Sequence, residues 1–288
     1  MAASKLMSRC FATLASVLFL AGCAFPGTVQ ARAFTTGFKV GDTITYRVHT
    51  TVSGSLLIGA QQIPLNSDQT LTQVLKVQSV DNSGTATVDV TTQDVVGVAG
   101  SGTTTLGPAS VVLQIGADGR IQSGAAAQIG GRIPSIPGSD QLTPVLPGHP
   151  VKPGDSWDKA YSRLNPYGRG EISFTSHNRY VKDEAVGGRD AAVIDTTLRG
   201  PIDFTIDFSK LPVAAGATAS PVTGIIHYTG AIDSGHRYWI GLTDQQVLKS
   251  TGSVTYRLSY VMTVPAGQAG GPQQIDLNGQ IKNDLTRI

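Results

Sequence analysis

In this chain apolar residues recur at every second position, a period that suits half-buried strands and leaves no amphipathic stripe for a helix. Ala86, Val88 and Val90 share one face, while Thr85, Thr87, Asp89 and Thr91 take the other. Ile44, Tyr46 and Val48 alternate in the same way, as do Ile202, Phe204, Ile206 and Phe208 against Asp203, Thr205 and Asp207. The longest case puts Val254, Tyr256, Leu258, Tyr260, Met262 and Val264 on one face of a single strand. Clusters such as Asp81-Asn82-Ser83-Gly84, Ala117-Asp118-Gly119 and Gly187-Gly188 separate the runs and favour tight reversals between antiparallel neighbours. A helical signal is confined to Ser123–Ile129, one or two turns that Gly130-Gly131 would stop. With 40% hydrophobic and 15% charged residues over 288 positions, the chain can bury a core, and the expectation is an all-β body.

Three landmarks occur twice in the same order. Lys39-Val40-Gly41-Asp42 returns as Lys152-Pro153-Gly154-Asp155, each copy opening a strand. The strand–turn–strand segment 76–89 parallels 180–195, and Leu113–Gly124 parallels Tyr238–Gly252. We therefore expect two related antiparallel β-meander halves, residues 37–130 and 151–288, forming a sandwich or a half-open barrel. Extra strands are expected in the second half around residues 200–235. Between the halves, residues 131–150 carry Pro134, Pro137, Pro144, Pro147 and Pro150, which deny a helix or a central strand and mark a crossover. Pro265–Pro272 reads as a loop before a last strand, Ile275–Ile281.

The first 22 residues read as an export signal. Lys5 and Arg9 precede the apolar run Cys10–Leu20, which suits a secretory core and is short for a membrane span. The run ends in Leu20-Ala21-Gly22-Cys23, which resembles the lipobox of bacterial prolipoproteins. That resemblance implies acylation of the Cys23 thiol, cleavage in front of it, and residues 23–36 as a lipidated tether. The alternative is ordinary cleavage after Ala31 or Ala33, leaving a free secreted protein. The resemblance also implies a location in the cell envelope, with the membrane as partner through the lipid on Cys23. Ala24, rather than Asp, follows the Cys, which resembles lipoproteins passed to the outer membrane of a Gram-negative envelope. Both cysteines, Cys10 and Cys23, lie in the signal region, so the body has no disulfide and no thiolate.

The body resembles an uncharacterised family of bacterial exported proteins, in which a K-x-G-D-[ST]-W type motif follows a proline-rich stretch and a D-x-x-G-x-[IL] type turn comes later. Residues 38–288 carry the likeness, through Lys152-Pro153-Gly154-Asp155-Ser156-Trp157 above all. It implies export and a β-rich architecture, and no activity. In the first half Ile44 stands where the second has Trp157, so the indole has no claim to chemistry from the repeat. A remoter resemblance is to the half-barrel carriers of lipoproteins and lipids, which pair a curved sheet with helices that this sequence lacks.

Chemistry-bearing patterns are sparse. Metalloprotease, esterase, P-loop and dinucleotide motifs are all missing from the sequence. A net charge of +2 gives no basic field for nucleic acid. His49, His149, His177, His227 and His236 are scattered; His227 and His236 flank an expected hairpin and could face each other, without a third ligand for a metal. Asp203 and Asp207 share a strand face roughly 13 Å apart at about 3.3 Å per residue, too far for a glycosidase pair. Asp42 and Asp155 are expected to accept backbone N–H bonds in turns. Tyr228, Tyr238, Trp239, Tyr256 and Tyr260 cluster in the last third, as core or as the wall of a cleft. The preferred expectation is a non-enzymatic lipoprotein, without metal or cofactor, whose β-body is a structural or binding module with room for an apolar ligand. The alternative is an envelope hydrolase built around His177, His227 or His236 with Asp233.

Overall fold

The computed structural model describes residues 30–99, 102–106, 109–124, 143–164, 168–169, 171–207, 225–262 and 273–288. The N-terminal residues expected to be an export signal with Cys23, Phe208, the first part of the expected crossover and the expected Pro265–Pro272 loop lie outside the described residues. Residues 31–288 make one unit. The alternating runs form β1 (Thr43–Ile58), β2 (Gln61–Val80), β3 (Ala86–Ala99), β4 (Gly102–Leu106), β5 (Ala109–Ile115), β6 (Ile121–Gly124), β7 (Ser156–Leu164), β8 (Gly168–Arg169), β9 (Glu171–Val186), β10 (Arg189–Asp207), β11 (Ile225–Gly241), β12 (Val247–Met262) and β13 (Gln273–Arg287). No described residue is helical; Ser123 and Gly124, expected to begin a helical turn, end β6.

All strands join one 13-stranded antiparallel sheet in the order β6-β5-β3-β2-β1-β13-β12-β11-β10-β9-β7, with β4 beside β3 and β8 beside β10. The order is a circular meander. With the short side strands β4 and β8 set aside, neighbours along the path follow one another in sequence, apart from β1 with β13, where the first and last strands pair from Tyr46↔Arg287 to Ile58↔Ile275. The one break in the circle falls between β6 and β7, where the chain crosses from one half to the other. The body is thus a half-open barrel of a single sheet. The described parts of residues 200–235 are the ends of the long strands β10 and β11, and among the described elements the second half also adds β13.

A single apolar cluster shows that the sheet curls on itself. It takes Ile44 from β1, Leu75 from β2, Val88 from β3, Ile115 from β5, Ile121 from β6, Trp157 from β7, Tyr180 from β9, Ile194 from β10, Tyr238 from β11, Val247 from β12 and Leu285 from β13. Side chains from both ends of the path can meet only if the inward faces surround a common core. Phe34, Leu146 and Val151 complete the cluster from two straps that cross this end of the barrel. The straps are joined by a backbone bridge in which Arg32 and Val151 exchange two 2.8 Å N–H···O bonds. The second strap spans the break: Leu146 N–H donates to Asp118 O at 2.8 Å, and the Trp157 indole N–H donates to Val145 O at 2.8 Å.

The repeated Lys-x-Gly-Asp turns are the same object twice. The Asp42 carboxylate accepts from Lys39 N–H at 3.0 Å and Asp155 from Lys152 N–H at 2.9 Å. Gly41 and Gly154, at φ 88 and 98, then turn the chain so that it bonds Val77 and Tyr180 respectively. Both carboxylates serve as turn acceptors, as the sequence suggests.

Trp157 therefore acts as a seam bolt. Trp157→Phe leaves the buried Val145 carbonyl without its donor and is expected to lower unfolding stability by about 1–3 kcal/mol, read by urea titration. Trp239→Phe, altering a side chain on the outer face, should cost less than about 1 kcal/mol.

Candidate functional site

Alternation sorts every strand into an inward and an outward side chain set, and the two faces differ in chemistry. The outward face is ionic: Arg237 makes a bidentate pair with Asp195 at 2.6 and 2.7 Å, Arg199 meets Asp233 at 3.1 Å, and Lys249 lies 5.0 Å from the Trp239 ring centroid. A shallow groove of about 580 Å³ runs here between Arg199, Asp233 and Arg257 over Pro201 and Ala231. An ionic exterior around an apolar interior is the reverse of what a barrel facing hydrocarbon needs. No helix among the described residues is long and apolar enough to cross a membrane.

Inward, two apolar zones are separated by a polar row. The closed end holds the shared cluster described above. Toward the other end a second cluster comprises Phe174, Leu198, Ile202, Phe204, Ile232, Val254, Tyr256 and Leu258, with Tyr228, Leu277 and Ile281 against it. All of these come from β9 to β13. The opposing wall, Val52, Leu56 and Ile58 of β1 with Ile63 and Leu65 of β2, points to the same side yet remains half-buried. Among the described residues the half-open barrel therefore presents an apolar trough, packed on one wall and half-covered on the other. Tyr228 stacks on Phe204 at 5.3 Å and lies 5.2 Å from Tyr260 at its rim. Burial drives the Tyr228 hydroxyl up to about 12.

The polar row crosses seven strands in direct register. Asn178 of β9 faces Thr196 of β10, Thr196 faces His236 of β11, His236 faces Gly252 of β12, Gly252 faces Asn283 of β13, Asn283 faces Thr50 of β1, and Thr50 faces Gln69 of β2. At the β9 end the row is satisfied: Thr196 Oγ1 donates to Asn178 Oδ1 at 2.9 Å, and Asn178 Nδ2 donates to Ser176 Oγ at 3.0 Å. Its middle is open. The Thr50 hydroxyl donates to Asn283 Oδ1 at 3.0 Å, but both residues stay half-buried. His236 Nε2 is shielded from water and has no hydrogen-bond partner. Its ring stacks on Tyr238 with centroids 5.8 Å apart and lies flat on Gly252, where a methyl would come within 2.0 Å of Nδ1. Burial pulls its pKa down to about 4, so the imidazole is neutral at pH 7.

The histidines do not assemble. His49 meets Asp68 at 2.9 Å, His177 meets Asp158 at 2.8 Å and His227 meets Asp203 at 2.7 Å, each an exposed pair on the outer face. The expected hairpin between His227 and His236 does not exist: both lie on β11, and their odd spacing puts them on opposite faces of that continuous strand. Asp233 is engaged by Arg199 rather than by a histidine. Among the described residues no three of His, Cys, Asp and Glu gather as a metal would require. Of the aromatic residues singled out from sequence, Tyr238 and Tyr256 are buried, Tyr228 and Tyr260 rim the trough, and Trp239 faces outward, donating to Glu184.

Thr50, Asn283, Gly252 and Thr196 escaped the sequence reading. Their only local signal is that each interrupts an apolar alternation, and their alignment exists only in the cross-strand register. No family model matches the chain, and no curated protein matches it in sequence.

His236 has a readable pH signature. Its folded pKa lies below the unfolded value of about 6.5, so the unfolded chain binds more protons between those limits and stability falls as pH drops from about 6.5 to 4. The loss attributable to this ring is on the order of 3 kcal/mol. Urea midpoints of His236→Phe are expected to lack that slope between pH 6.5 and 4, whereas those of His177→Phe should retain it.

Proposed function

We propose that the protein is a lipid-anchored envelope lipoprotein, acylated at Cys23, whose half-open barrel is a non-enzymatic module binding an apolar ligand in its trough. The observation that carries the reading is the half-covered wall: five aliphatic side chains of β1 and β2 turn toward the concave side without joining either buried cluster. Leaving such surface in water is unfavourable by about 25 cal/mol per Å², and an apolar ligand lying between this wall and Tyr228, Leu277 and Tyr260 would remove it from water. The polar exterior and the Leu20-Ala21-Gly22-Cys23 signal supply the complementary half of the proposal. A body that offers water an ionic face needs a separate device to stay at a membrane, and acyl chains at one cysteine provide it.

Two measurements test the two parts. Cells fed a clickable fatty acid should label the wild-type chain and not Cys23→Ala; label retained in the variant removes the anchor. The environment-sensitive fluorophore 1-aminoanthracene should bind the purified protein, and Leu65→Arg, which puts a cation into the apolar wall, should weaken that binding at least about tenfold. Gln62→Arg, outward on the same strand, should leave it unchanged. Equal binding by all three would remove the trough as the site.

A further inference from the structure

The concave face is apolar, and it is also uncharged. Reading the described inward positions from β10 through β11, β12, β13 and β1 to β2, every side chain is aliphatic, aromatic, small or neutral-polar, except Arg287 at the closed end and His236 in the row. Arg287 donates to Asp244 at 2.7 Å, and that carboxylate also takes a bond from Arg189 at 2.5 Å, so its charge is committed. The guanidinium groups that could receive an anionic head, Arg199 and Arg257, belong to the outer groove. An ionised carboxylate or phosphate entering the trough would lose its hydration and meet no counter-charge among the described residues, a cost a neutral row of hydroxyls and amides does not repay.

Yet the trough is not uniformly apolar. Its floor carries the unfinished middle of the polar row, where His236 Nε2 lacks a partner and Thr50 and Asn283 are still reachable by water. Gln73 on the same inward face of β2 is almost fully buried with its Oε1 also unpartnered. A purely hydrocarbon ligand would leave Thr50 and Asn283 as they are, whereas a ligand bearing hydroxyls could bond these two half-buried side chains. From Thr50 to Ile58 the wall runs eight residues, about 26 Å at roughly 3.3 Å per residue. That exceeds the roughly 15 Å that one leaflet of bilayer hydrocarbon occupies, so a long acyl chain fits along it.

We propose that the trough takes a single-chain amphiphile with an uncharged hydrogen-bonding head, of the monoacylglycerol class, its head at the Asn283–Thr50 pair of the row and its chain along Val52, Leu56 and Leu65. This rests on the reading of the concave face as the binding site and adds the ligand's chemistry and orientation. The head is the inner end, so the chain's tip lies toward the open rim with Tyr228 and Tyr260.

The test uses the full chain with Cys23→Ala, so that no acyl group of its own competes, and follows displacement of 1-aminoanthracene by 1-monooleoylglycerol and by ionised oleate at pH 8, both below their aggregation concentrations. Monooleoylglycerol is expected to bind at least about tenfold more tightly than oleate. Asn283→Leu should weaken monooleoylglycerol about tenfold, the scale of one lost buried hydrogen bond. Thr50→Val, which keeps the shape of the row, should weaken monooleoylglycerol in the same direction and covers the case in which Asn283→Leu misfolds. Oleate binding as tightly as monooleoylglycerol, or row variants that bind monooleoylglycerol like the wild type, would overturn the neutral-head assignment while leaving the trough in place. Failure of the fluorophore to bind the parent chain, or its undiminished binding to Leu65→Arg, would instead remove the site on which the assignment rests.

Discussion

The pairing of the first strand with the last is the interaction on which the rest of the structure depends. A meander of long strands has one apolar face and two unpaired edges, and burying that face requires either a second layer or a curl. Here no described element forms a second layer, so the sheet curls, and the β1–β13 ladder joins the beginning of the chain to its end. The ladder extends to the last residue, where Ile288 N–H donates to Thr45 O at 3.0 Å. Only with that join do the inward faces of the two halves become one surface, with one core and one polar row.

Curvature of this degree needs places where backbone and side chain can approach closely, and the inward glycines supply them. His236 lies on Gly252; the Tyr256 hydroxyl reaches across Gly279, where a methyl would sit 2.5 Å away; and the Phe174 ring covers Gly200. An aromatic ring laid over a cross-strand glycine shields exposed backbone and lets the strands coil. These pairs fall on β9 to β13, the wall that is packed. The β1–β2 wall carries aliphatic residues at the corresponding level, apart from Gly54, Ser67 and Gln61, and has no ring of its own to cover them. The asymmetry that opens the trough thus follows from where the glycines and rings fall.

The two ends of the barrel are treated differently for a related reason. At the closed end the straps occupy the space that a ligand would need, and they are held by specific contacts. The Gly119 turn of the first half corresponds to the Gln245 turn of the second, and Gln245 keeps the left-handed conformation at φ 55 although it has a side chain. That side chain accepts from the Thr35 backbone N–H at 2.7 Å and from its hydroxyl at 3.0 Å. A strained backbone position is retained where its side chain tethers the first strap. On the same strap Arg32 donates to the Tyr180 hydroxyl and to Asp183, each at 2.6 Å. Nothing comparable crosses the open end among the described residues.

Local rules made much of this legible in advance. The period of two identifies the strands and their faces, Asp-Gly and Gly-Gly clusters mark reversals, and the Lys-x-Gly-Asp repeat marks two turns that prove superimposable in their hydrogen bonds. Cys10 and Cys23 are the only cysteines, so residues 30–288 can form no disulfide. What the sequence by itself could not determine is register across strands distant in the chain. Thr50 and Asn283 are separated by most of the molecule, and their contact depends on the β1–β13 pairing, which no local pattern encodes. The same limit explains the hairpin misplaced between His227 and His236: Gly230 and Gly235 resemble turn residues locally, but the pairing of β11 with both β10 and β12 holds them inside one straight strand. Strand identity comes from side-chain alternation along the chain, whereas the shape of the concave face is decided by which strands meet and at what offset, because only packing of the whole inward surface distinguishes one offset from the next.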